Sequence, residues 1–202
     1  MTSATARAFT LKLARRRHGV SARDLSQAGI HRQVLSRLVA TGELERVARG
    51  LYRLPTQPLS EHHALAIVAA AVPRGVVCLL SALQFHGLGT QLPSAVWVAI
   101  DRRSREPALK YPPLRVLRFS GAALTEGIET HRVEGRDVRV YGVAKTLADC
   151  FKYRHKIGLD VALEALRDAW RQRRTTLDEI DRQAAICRVQ RVMRPYLEAL
   201  TA

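Results

Sequence analysis

An α+β chain in two parts, a small head and a larger mixed body, is predicted by three features of this 202-residue sequence. Between Ser21 and Leu54, two short segments of helical periodicity separated by Gly29 are followed by two short apolar runs flanking Gly50. At PTQPLS, Pro55 to Ser60, two prolines within four residues interrupt regular structure. Beyond that point strand-like runs cluster mid-chain, and the pattern from Val143 onward is helical, without the regular crossovers of a doubly wound sheet. The expected domains are residues 1–55 and 56–202.

The elements follow in order. MTSATARAFTLKLARRRHG reads as a first helix stopped at Gly19, and its basic cluster follows its apolar residues, the reverse of a secretory signal. Ser21 and Asp24 have the spacing of an N-cap with an acid at N3, which satisfies exposed N–H groups and suits the positive end of the helix dipole, so a second helix starts at Ala22. Gly29 tolerates the left-handed backbone of a sharp inter-helix turn. A third helix runs from about His31 to Thr41 and stops at Gly42. On a wheel of about 100° per residue, Val34, Leu35, Leu38 and Val39 fill one arc and Arg32, Gln33, Ser36, Arg37 and Ala40 the other. Leu44 to Val47 and Leu51 to Leu54 then read as a hairpin through Arg49 and Gly50. Tyr52 and Leu54 share its buried face across from Val47, while Arg46, Arg49 and Arg53 face outward.

A helix-turn-helix followed by a basic hairpin is the order of a winged helix, a DNA-binding module. Arginine and glutamine make paired hydrogen bonds to guanine and adenine edges in the major groove, which makes Arg32, Gln33, Ser36 and Arg37 the candidates for groove contacts. Arg46, Arg49 and Arg53 are the candidates for phosphate or minor-groove contacts on the wing, with Arg15, Arg16 and Arg17 as further phosphate contacts. Charge agrees. Residues 1–58 hold 11 Lys and Arg against 3 Asp and Glu, a net +8 of the chain's +15, and such a field attracts a polyanion by counterion release. The expected partner is double-stranded DNA. The competing account of each arginine is a solvated surface charge.

In the second domain, Glu61–Val72 reads as a helix capped by Ser60 and Gly75–Leu80 as a short strand. Ser81–His86 reads as a helical turn ending at Gly87, with Ser81 as a cap and His86 as a structural hydrogen-bonding group. Val96–Ile100 and Leu114–Phe119 are strands, and Glu129–Val133 pairs with Val138–Tyr141 around a Glu134–Asp137 turn. No catalytic constellation emerges. Ser81 and His86 lack a nucleophile elbow and an orienting acid, GLGTQ at Gly87–Gln91 lacks the Lys and Ser/Thr of a phosphate loop, and His62 and His63 open a helix. Asp101 ends a strand but is followed at once by Arg102, Arg103 and Arg105, a surface charge cluster. Cys78, Cys150 and Cys187 lie far apart without metal-ligand spacing and read as buried thiols of a reducing cytoplasm, so no metal and no cofactor is expected. Lys145 and Asp149, four apart, suit an intrahelical ion pair, or with Lys152 a surface for a nucleotide or partner. The arginines from Arg167 to Arg174 and from Arg182 to Arg194 interleave with acids as solvated faces. No apolar run approaches the roughly 20 residues that span a bilayer, so a cytoplasmic protein without membrane partners is expected.

The winged helix, the proline linker, SALQFHGL at Ser81–Leu88, the VWVAI strand and VAKTLADCFKYRHKIGLDVALEAL at Val143–Leu166 together resemble the AbiEi-type antitoxins of bacterial toxin–antitoxin operons. The resemblance covers nearly the whole chain. It implies a transcriptional autorepressor that binds inverted repeats in its own promoter, and a C-terminal domain that counters a nucleotidyltransferase-like toxin, in much of the family without a stable complex. With no catalytic constellation among its residues, the chain is expected not to be an enzyme, and Lys145, Asp149 and Lys152 are the candidate antitoxin surface. Two other classes fit the residues: a nucleic-acid-processing enzyme targeted by a winged helix, and a non-catalytic interaction adaptor.

Overall fold

The computed structural model describes residues 3–48, 50–58 and 60–201, the side chains of Ser3 and Thr201 excepted. Its chain divides into two compact units: Met1–Arg74 with Thr130–Val138, and Gly75–Glu129 with Arg139–Ala202. Sequence reading places the division at Pro55. The first unit runs on past it because the next helix packs on the wing, and because a hairpin turn from much later in the chain joins it.

In the first unit α1 (Ser3–Arg17) leads through β1 (Val20–Ser21) into α2 (Ala22–Gln27) and α3 (Gln33–Ala40), and β2 (Glu45–Ala48) and β3 (Leu51–Arg53) form the wing. The strands make a small antiparallel sheet in the order β1-β3-β2. The strand β1 is too short to leave a sequence pattern, yet its pairing Val20↔Tyr52 and Ser21↔Leu51 ties the entry of the helix-turn-helix to the wing. Ala14, Val20, Leu25, Ile30, Leu35, Leu38 and Leu44 are buried together as the core. After the wing comes α4 (His63–Ala71), shorter than the expected helix and packed against β2.

The second unit holds β4 (Val76–Val77), α5 (Leu79–His86), β5 (Val96–Asp101), β6 (Leu114–Phe119), α6 (Ala122–Thr125) and the outer parts of β7 (Ile128–Val133) and β8 (Arg136–Tyr141). Five helices follow: α7 (Val143–Lys152), α8 (Arg154–Ile157), α9 (Leu159–Arg171), α10 (Leu177–Cys187) and α11 (Gln190–Thr201). The sheet runs β6-β5-β4-β8-β7 and is mixed, with β5 parallel to β6, β4 antiparallel to β5 and β4 parallel to β8. This is the α+β class with a helical C-terminal end. The apolar run at Gly75–Leu80 is only briefly a strand, because Cys78 already stands at the N-cap of α5. Gly87 closes α5 at φ +66°, a conformation that favours glycine. The β7–β8 turn is tighter than expected: Glu134 and Gly135 both have positive φ and close a two-residue hairpin. The core of the unit gathers Leu79, Leu83, Tyr141, Leu147, Phe151 and Leu166 between the sheet and α5, α7 and α9.

Candidate nucleic-acid interface

The entry to the helix-turn-helix is built on one carboxylate. Asp24, with its side chain nearly buried, accepts from the Ser21 backbone N–H at 2.8 Å and from the Ser21 hydroxyl at 2.5 Å, while the Asp24 N–H donates to Ser21 Oγ at 3.2 Å. This capping box starts α2 where the sequence places it. The same carboxylate accepts from Arg17 at 3.1 Å and from Arg132 of the β7–β8 hairpin. Gly29 turns the chain at φ +68°, and the Gln33 N–H donates to His31 Nδ1 at 3.2 Å at the start of α3. Thr41 closes α3 before Gly42 at φ +71°.

The helix α3 presents two faces. Leu35 and Leu38 are buried and Val34 and Val39 half-buried, whereas Arg32, Gln33, Ser36 and Arg37 are all exposed. Among the described residues Arg32, Arg37 and Arg46 enter no ion pair, so their guanidinium groups remain available to a ligand. Beyond this helix, Arg7 is bound to Glu43 and the Thr41 hydroxyl donates to the same carboxylate at 3.0 Å, which fixes the end of α3 against α1. Arg15, Arg16 and Arg17 are exposed at the end of α1.

The wing treats its three arginines differently. Arg46 is exposed, and Arg49 lies outside the described residues. Arg53 does not face outward: its side chain is 15% exposed, because Glu45 stands directly opposite in register and takes its Nε, while its Nη1 donates to the Gln57 carbonyl at 2.9 Å. Tyr52 pairs with Arg46 rather than Val47, since the ladder shifts between Arg46 and Ala48. Gly50, at φ +70°, makes the turn, and a side chain there would come within 2.9 Å of Arg136 Nη2.

That last contact belongs to a part of the unit that sequence reasoning missed. Glu134, in the β7–β8 turn, accepts from the Ser60 N–H at 3.1 Å, from the Ser60 hydroxyl at 2.7 Å and from His63 Nδ1 at 2.7 Å. Ser60 is therefore not a helix cap, and His63, which opens α4, is tied to the same carboxylate. Gly135 packs so closely on Gly19 that a Cβ would lie 2.5 Å from the Gly19 carbonyl oxygen. These ties join residues more than 70 positions apart, so the only local signal is the pair of turn-forming residues Glu134 and Gly135.

The second unit holds the other residues singled out by sequence. Lys145 and Asp149 form the intrahelical ion pair at 2.5 Å, with side chains 0% and 1% exposed, whereas Lys152 is exposed. The three therefore do not make a common surface. Lys145 Nζ lies 4.1 Å from the Tyr141 ring centroid and 5.0 Å from that of Phe119, and the Cys187 thiol donates to Asp149 at 3.2 Å. Burial raises the Asp149 carboxyl above its ordinary range against the pull of Lys145. The thiols of Cys78 and Cys150 are pushed far up by burial, and that of Cys187 is pushed up to about 12. Ser81 is buried inside α5, where its Oγ accepts from the Trp97 N–H at 2.9 Å, and His86 Nε2 lies 2.7 Å from the Tyr141 carbonyl. Both are absorbed in holding α5 to the sheet. Among the described residues no group of three or more His, Cys, Asp or Glu could hold a metal ion, and no helix is long and apolar enough to cross a membrane.

Comparison with known proteins bears on both units. The chain is similar to the crystal structure of the RV2827C protein from Mycobacterium tuberculosis, at 15% identity and a TM-score of 0.51, over 90% of this chain and 71% of that one. At that identity the likeness speaks to the fold. No curated protein matches. Residues 9–55, which span the capping box, α3 and the wing, match the model of a family described as transcriptional regulator, AbiEi antitoxin. Over these residues, about a quarter of the chain, the protein is similar to the AbiEi antitoxin family of transcriptional regulators.

Proposed function

We propose that this protein is an autorepressor and antitoxin: it binds inverted repeats in the promoter of its own operon through the winged helix, and its C-terminal domain counters a nucleotidyltransferase-like toxin without acting as an enzyme. The observation that carries the reading is the exposed Arg32, Gln33, Ser36 and Arg37 face of α3, held on a braced helix-turn-helix within the segment that matches the family. Such a face enters the major groove, where the arginine and glutamine side chains reach base edges, while Arg46 and Arg49 of the wing meet phosphates. Arg53 acts inside the wing, fixing its twist through Glu45 and Gln57. Two operator half-sites related by dyad symmetry require two copies of the chain on the DNA.

A promoter–reporter fusion tests the repressor half. The intact chain lowers expression from its own upstream region, and Arg32→Ala with Arg37→Ala releases it. Growth rescue in cells expressing the adjacent toxin gene tests the other half, which the α3 substitutions leave intact. Repression unchanged by those substitutions, or rescue lost with them, contradicts the division of labour.

A further inference from the structure

We infer that the second unit carries a separate site for single-stranded nucleic acid, on the β6 edge of its sheet. The strand β6 ends the sheet, and register places Arg115 beside Trp97 of β5. Trp97, Arg115, Val116, Leu117 and Lys156 line a cleft of about 390 Å³, which brings a half-buried indole together with two exposed cations. Just before Arg115 in the chain come Lys110 and Tyr111, the tyrosine 71% exposed. At the far end of β6, Arg118 Nη1 donates to the carbonyls of Arg102 at 3.2 Å and Ser104 at 2.7 Å, which holds the Arg102, Arg103 and Arg105 loop against the strand.

From Asp101 to Phe119 the chain has six Lys and Arg against two acids, and both acids are engaged: Asp101 accepts from the Arg103 N–H at 2.8 Å and Glu106 lies 3.7 Å from Arg118. Arg115 and Lys156 make the cleft beside Trp97 positive, whereas Arg118, three residues along the strand, projects from the opposite face. Charge on an edge strand also discourages edge-to-edge pairing, but that purpose needs no indole beside the cations. A base stacks on an aromatic face only when it is not already stacked in a duplex, so the cleft fits an unpaired base, with Arg115 and Lys156 on the flanking phosphates. An acidic peptide would satisfy the cations and leave the indole unused.

The test uses the full chain and a short fluorescein-labelled oligothymidylate. Trp170→Phe leaves Trp97 as the one tryptophan, so base stacking reads out as quenching of its fluorescence. Arg115→Ala with Lys156→Ala, both exposed and compatible with folding, lowers affinity at least about tenfold and flattens the salt slope by about 1.4, or 0.7 per lost single-strand phosphate contact. Arg32→Ala with Arg37→Ala retains the oligothymidylate and weakens duplex binding, so failure of this site and failure of the winged-helix reading are distinguishable. Single-strand affinity untouched by the Arg115 and Lys156 substitutions, an unquenched Trp97, or equal displacement by duplex DNA or polyglutamate would each overturn the assignment.

Discussion

Replacing Lys145 by Met removes one partner of an ion pair that is closed off from water. Asp149 then either holds an unpaired buried charge or takes up a proton, since burial already raises its carboxyl and Lys145 no longer opposes this, and only the Cys187 thiol donates to it among the contacts described above. Breaking a buried pair in this way costs about 3–5 kcal/mol. Loss of the contacts of Nζ with the Tyr141 and Phe119 rings acts in the same direction, each worth up to about 2 kcal/mol when desolvated. Against a total domain stability of about 5–15 kcal/mol, the single variant sits near the edge of folding. The double variant Lys145→Met with Asp149→Leu removes both charges and keeps the volume apolar, so it recovers most of the loss. Both tryptophans, Trp97 and Trp170, lie in the second unit, so urea unfolding followed by intrinsic fluorescence reports this unit. The double variant also retains toxin rescue, because neither side chain reaches the surface. A cost below about 1 kcal/mol for Lys145→Met, or a double variant no better than the single one, refutes the buried-pair argument. A well-folded double variant without rescue refutes the placement of the pair away from the functional surface.

Other outcomes follow from the same geometry. Arg37→Ala weakens operator binding by about 1–3 kcal/mol and relaxes sequence preference, whereas Arg46→Ala weakens all duplexes alike and reduces the salt slope by about one, both read by titration at several salt concentrations. Glu134→Ala, far from α3 in sequence, leaves the Ser60 and His63 donors without their acceptor; hydrogen exchange then shows faster opening of α2 and α4, and unchanged protection contradicts the bracing role. The native protein shows no rapidly reacting thiol at pH 8 and three after denaturation, measured with a chromogenic disulfide reagent. Because burial raises the thiol pKa values and moves Tyr153 up to about 12, the folded state binds these protons more tightly than the unfolded chain does. Stability of the second unit is therefore intact below pH 9 and falls as pH rises from about 9 toward 12, visible as a falling urea midpoint.

What the sequence makes legible is what is local. Ser21 and Asp24 lie three apart, so the capping box and the start of α2 can be read directly, and the two faces of α3 follow from helical periodicity. The limits of such reading are equally physical. Asp24 also binds Arg132, 108 residues away, and Ser60 donates its hydroxyl to Glu134 instead of accepting from a helix N–H, because the β7–β8 turn brings a charged acceptor to it from 74 positions away. The spacing of Lys145 and Asp149 announces an ion pair but not its burial, which is decided by packing of α7 against α5, α9 and α10. For Arg53, strand register overrides alternation: Glu45 opposite it draws the guanidinium inward. The tryptophan–arginine cleft on β6 needs two parallel strands brought side by side by an intervening connection, so no single stretch of sequence displays it.

Whether the exposed face of α3 reads an operator is decided by a salt-resolved titration of the full chain against DNA from upstream of its own gene, with a scrambled duplex as control. An operator-reading α3 gives a preference of about 10³-fold or more for the upstream DNA, collapsing toward the control when Arg32 and Arg37 are replaced by alanine. Equal and steeply salt-dependent binding to both duplexes would contradict it, leaving a basic module without sequence recognition.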